Sequence, residues 1–125
     1  MNVKTSELTG AALDWAVQMA VWKTGGFVRS DNEKALCEGA IAVSREKAYS
    51  SSWARSGPLA DKFNVDFNTQ GVSEDGSQLI EAAVQDFEAM QCWTAEGDTR
   101  LQAMCRAIVL SKLGDEVDVP AELLG

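Results

Sequence analysis

A chain of 125 residues is the size of one domain, residues 1–125. Its 46% hydrophobic content and four tryptophans supply a core that needs no metal or disulfide staple. Eleven basic against nineteen acidic residues give a formal net charge of −8, with no run of three Lys or Arg, which argues against a long nucleic acid or an anionic membrane as partner. The absence of histidine removes Ser-His-Asp and Cys-His catalysis and His-ligated metals.

The first element is a helix near Gly10 to Trp22. Thr9 stands at its N-cap, and Leu8 and Leu13 are spaced as a hydrophobic staple. Leu13, Ala16, Val17, Ala20 and Val21 form one apolar stripe, and Ala12, Trp15, Met19 and Trp22 a second. Only Asp14 and Gln18 interrupt them, so this helix is either central to the core or packed on a second subunit. Its apolar segment is too short to span a bilayer, and the opening MNVKTSELTG lacks a signal-peptide stretch, which points to the cytoplasm. Gly25-Gly26 ends the helix.

Residues 27–48 read as a short hairpin. Gly39 interrupts the helical alternative, and Ala40-Ile41-Ala42-Val43 suits a strand. Tyr49-Ser-Ser-Ser-Trp-Ala-Arg-Ser-Gly-Pro58 reads as a loop, with Pro58 in the first turn of a short helix, Leu59 to Phe63. Val65 and Phe67 alternate with polar residues and mark a strand. Thr69 to Ser77 reads as an exposed loop. Leu79, Ile80, Ala83, Val84 and Phe87 fall at helical spacing, and a strand is expected within Phe87 to Trp93. The last helix runs from Thr99 or Arg100 to Leu113, with Thr99 and Gln102 as a capping box and Gly114 as its stop. Val117 and Val119 form an extended tail.

Three cysteines, Cys37, Cys92 and Cys105, show no CxxC spacing and read as reduced core thiols. The glycines form neither GxGxxG nor GxxxxGK[ST], so no phosphate loop is present. The acidic group Asp115, Glu116 and Asp118 lies just past a helix end, where solvated carboxylates are common. No metal and no cofactor are expected.

Ser50, Ser51 and Ser52 with Trp53 and Arg55 offer hydroxyls, an indole face and a guanidinium, which together can hold a phosphate and stack a base. The plainer reading is a polar loop whose tryptophan turns into the core. Arg106 sits in an apolar stretch of the last helix. Two readings of it stand level: a solvated or ion-paired cation, or one aimed at an interface or an anionic ligand.

Residues 3–17 (VKTSELTGAALDWAV), 49–59 (YSSSWARSGPL) and 97–120 (GDTRLQAMCRAIVLSKLGDEVDVP) resemble the NinX family of phage proteins, over about 50 residues. Segments 23–48 and 66–95 depart from it. The order of elements is also similar to the phage ABA-sandwich domain, whose anti-Thoeris members are homo-oligomeric sponges for cyclic ADP-ribose-type or cyclic-nucleotide immune signals. That resemblance implies an α+β fold, an α-β-α sandwich in which a small antiparallel sheet is flanked by the N- and C-terminal helices. It also implies a non-catalytic, phage-encoded protein in the host cytoplasm that sequesters a small nucleotide. Arg106, Arg100 and Arg55 would meet phosphates. Tyr49 or Trp53, with Ser51 and Ser52, would hold the base. The competing expectation is a module that binds a host protein, and a third is an enzyme using carboxylates alone.

Overall fold

The computed structural model describes residues 1–72 and 78–124. In chain order these form β1 (Asn2–Lys4), α1 (Gly10–Thr24), α2 (Glu33–Lys47), α3 (Trp53–Lys62), β2 (Val65–Val72), β3 (Gln78–Asp86), β4 (Gln91–Gly97), α4 (Arg100–Leu113) and β5 (Glu116–Asp118). The strands make two antiparallel sheets: β2-β3-β4, and a ribbon of β1 with β5. The expected mixed α+β fold with a small antiparallel sheet is present. Within it, α4 packs on the sheet and α1 packs on α4, with α2 against α1.

α1 begins and ends where its residues suggest. Thr9 takes the extended N-cap conformation, although its hydroxyl makes no capping bond. Leu8 and Leu13 are both fully buried beside it, and Gly26 turns the chain with φ +79°. Every residue from Ala12 to Ala20 is buried, and full burial of a side chain such as Leu13 or Val17 is worth about 1.5–3 kcal/mol. The all-round apolar surface is thus consumed within the chain by α2 and α4.

Residues 33–47 form a helix rather than the hairpin expected for 27–48. Leu36, Cys37, Ala40, Ile41 and Ser44 recur at three- and four-residue spacing and face inward. Gly39 sits on the exposed side with open space beside it, so the helix bears only the intrinsic glycine penalty of about 1 kcal/mol. Asn32 organises the entry instead: its side-chain oxygen accepts from Arg29 N at 2.7 Å, and its amide donates to the Phe27 carbonyl at 2.9 Å.

α3 starts at Trp53, earlier than the expected Leu59, so Pro58 lies inside the helix rather than in its first turn. The carbonyl that Pro58 leaves without a partner belongs to Ala54, and both residues are exposed to water.

β3 replaces the helix expected from Leu79 onward, and the strand that follows it is β4, after a turn at Phe87 to Met90. Asp86 accepts from Glu88 N and Ala89 N, both at 3.1 Å, and closes that turn. Ile80, Ala82 and Val84 are buried on alternate positions of β3. The register pairs Phe67 with Ala82 and Trp93 with Val84, and this face lies against α4. β2 runs on to Val72, so the expected loop at Thr69 to Ser77 is reduced, and its residues 73–77 lie outside the described residues.

The ribbon joins residues 2–4 to residues 116–118. Asn2, Val3 and Lys4 oppose Asp118, Val117 and Glu116, so Val117 is extended as the sequence suggests, and Val117 and Val119 are also buried.

Candidate functional site

The loop and helix at 49–56 is stitched into the core. Tyr49 is 3% exposed, and its hydroxyl donates to Gln18 Oε1 at 2.9 Å. Burial pushes its phenol above the ordinary value, with Arg55 opposing. Ser50 N donates to Asp14 Oδ1 at 2.7 Å, and Ser56 Oγ donates to the Tyr49 carbonyl. Asp14 and Gln18, the two polar breaks in α1, therefore bind this loop. Burial raises the Asp14 carboxyl, while the bond from Ser50 works against the rise. Cys105 lies on the same network and is pushed up to about 12 by burial, with Asp14 adding to the rise.

The tyrosine is consequently closed to a stacking ligand. Trp53 does not turn into the core: it is half exposed, and it meets Phe67 edge-on at 6.1 Å between ring centres. Ser51 donates to the Ala48 carbonyl, and Ser52 takes the N-cap position of α3. Arg55 is exposed. The plainer reading puts the tryptophan in the core, and the structure places it at the surface instead.

Arg106 is held differently. Its Nε donates to the Leu8 carbonyl at 3.0 Å, and one terminal nitrogen donates to the Glu96 carbonyl at 2.9 Å. It thus bridges the segment before α1 to the outer edge of β4. Burial lowers its guanidinium from the ordinary value and Asp98 opposes this, but an arginine stays charged in either case. The bridge occupies two of its five donors.

Beside Arg106 opens a cleft of about 570 Å³, within the range of roughly 300–1,000 Å³ typical of ligand sites. Thr94 to Asp98, with Glu81, form one wall. Lys4, Thr5 and Ser6 from the ribbon end, with Asp115 and Glu116, form the other. Buried Thr5 secures that second wall, donating from Oγ1 to the Gly114 carbonyl at 2.6 Å and from N to the Asp115 carbonyl at 2.8 Å.

The cleft is acidic. Glu81, Glu96, Asp98, Asp115 and Glu116 line it against two cations, Lys4 and Arg106. The carboxylates are spread along its length, since among the described residues no three Cys, Asp or Glu converge as metal ligands do. Of the residues expected to bind a ligand, Arg106 alone lies in this cleft. Arg100 is exposed at the first turn of α4, while Arg55, Trp53, Tyr49, Ser51 and Ser52 belong to the α3 end.

Sequence reasoning missed the carboxylates because they come from three separate segments: Glu81, Glu96 with Asp98, and Asp115 with Glu116. The one signal available was the acidic run after α4. It reads as solvated, yet Asp115 and Glu116 line the cleft. The cysteines divide as well: Cys105 is buried as expected, Cys37 is intermediate, and Cys92 is exposed instead of in the core.

Among the described residues, no helix is long and apolar enough to cross a membrane. No curated protein matches the chain. The family model described as bacteriophage P22 NinX matches residues 4–112, and the chain belongs to that family.

Proposed function

We propose that this NinX-family protein, a phage accessory protein, acts by binding rather than by chemistry, and that its cleft takes a cationic group carried by a host protein in the infected cell's cytoplasm. The observation that supports this is the balance of five carboxylates against two cations in the cleft. A cation about 4 Å from one such carboxylate is favoured by roughly 4 kcal/mol before desolvation is counted. The net charge of −8 extends the same attraction over the whole surface and speeds encounter with a basic partner. The lack of histidine favours binding over turnover.

A second reading, sequestration of a small anionic nucleotide as an anti-defence sponge, has one feature in its favour. Arg106 keeps donors beyond those used by Leu8 and Glu96. The surrounding carboxylates oppose an anion, and neither Trp53 nor Tyr49 lines the cleft to receive a base.

Titration of ¹⁵N-labelled protein separates the two. A short arginine-rich peptide is expected to shift the amides of Thr94 to Asp98 and of Asp115 and Glu116. The effect should weaken in Glu96→Gln and Glu116→Gln and at higher salt. Tighter binding of cyclic nucleotides or cyclic ADP-ribose, lost in Arg106→Ala, would favour the sponge and overturn the cationic reading.

A further inference from the structure

The outer edge of β4 faces the cleft. β3 pairs with β2 on one side and β4 on the other, so among the described residues β4 has a single strand neighbour. The Glu96 carbonyl points away from β3, since it accepts from Arg106. Backbone groups alternate in direction along an antiparallel strand, so the N–H and C=O of Thr94 and Cys92 point to the same open side. Ala95 and Trp93, of the other parity, pair with Ala82 and Val84 of β3.

Natural sheets usually blunt such an edge with lysine, proline, a bulge or extreme shortness. β4 has none of these. It is seven residues long, it contains no lysine or proline, and its register with β3 runs unbroken from Gln91 to Gly97. Thr94 and Cys92 are exposed and uncharged. Arg106 covers the Glu96 end.

We propose that this edge accepts an extended, lysine- or arginine-bearing segment of a partner protein as a fourth strand, laid between β4 and the β1–β5 ribbon. This rests on the cationic-partner reading of the cleft and adds how the partner is held. Main-chain hydrogen bonds to Thr94 and Cys92 supply the grip, as in other cases of strand addition. The carboxylates of Glu96, Asp98, Asp115 and Glu116 select basic side chains on alternate positions of the incoming strand. Charge also chooses among occupants. A second copy of this chain would bring one acidic edge against another, and it is disfavoured on that ground.

The test uses an eight-residue peptide alternating lysine with threonine, its counterpart N-methylated at alternate residues, and the intact protein. N-methylation preserves charge but removes the N–H groups a strand needs. The unmodified peptide is expected to bind and to slow amide exchange at Thr94 and Cys92. The N-methylated peptide should bind at least about tenfold more weakly, as the loss of two or three backbone hydrogen bonds implies.

Thr94→Pro removes only an outward N–H, which edge strands tolerate. It should keep the circular dichroism of the parent and lose binding by a similar factor. Equal binding of both peptides, without exchange protection in β4, overturns strand addition while leaving a charge-selective cleft. Binding of neither peptide overturns the cationic-partner reading itself.

Discussion

Gly97 closes β4 against the start of α4, and replacing it with alanine tests that junction. A Cβ there would lie 2.6 Å from the Ala103 backbone nitrogen and 3.1 Å from both the Ala103 Cα and the Gln102 carbonyl carbon. These are main-chain atoms, so no rotamer change relieves the overlap. Either the strand end or the helix must move. Overpacking of this kind costs about 1–3 kcal/mol, which at this chain length lowers Tm by roughly 3–12 °C. Urea denaturation followed by tryptophan fluorescence, with a thermal scan, reads the effect. Gly39→Ala serves as the contrast, because open space surrounds it in a helix interior. It should gain up to about 1 kcal/mol. If Gly97→Ala unfolds within about 0.5 kcal/mol of the parent, the range of an ordinary surface change, then α4 does not press on the strand end and the wall of the cleft is looser than the distances require.

Three further outcomes follow from the polar contacts. Arg106→Met removes both bonds of the bridge from Leu8 to Glu96 and should cost about 1–3 kcal/mol in chemical denaturation. Arg106→Lys should recover only part of this, since an ammonium cannot fork between two carbonyls. Burial sets the Asp14 carboxyl above its ordinary value of 3.8, so its contribution favours folding below that pH and is lost as pH rises through the folded-state value. Asp14→Asn should therefore gain on the parent as pH rises from 4 to 7, measured by parallel urea titrations. With a thiol-reactive dye at pH 8, Cys92 should label within seconds to minutes and Cys105 only on unfolding, because Cys105 is buried and pushed up to about 12. Rapid labelling of all three cysteines in folded protein would contradict the packing of α4.

The two best-read helices carry their signals locally. α4 has Thr99 accepting from Gln102 N at 3.1 Å while Gln102 reaches back to Asp98 N at 2.8 Å, so its capping box is real and displaced by one residue. α2 was illegible because Gly39 and the run Ala40 to Val43 speak for other states, and only packing on α1 decides the matter. β3 was misread because Leu79, Ile80, Ala83, Val84 and Phe87 match a helical stripe, whereas pairing with β2 and β4 on both sides selects the alternation of Ile80, Ala82 and Val84. Arg106 was legible as a lone cation in an apolar helix. Its partners were not, because Leu8 and Glu96 meet it only through tertiary contact.

The ribbon has a consequence for how the molecule is completed. Residues near position 4 wait for residues near position 116 before Lys4 can lie beside Glu116, a loop closure spanning nearly the whole chain. The interior helices bury their apolar faces without it. A polypeptide halted before Glu116 would therefore keep most of its hydrophobic centre, yet the Lys4 to Ser6 bank of the acidic channel would lose the strand that holds it in place.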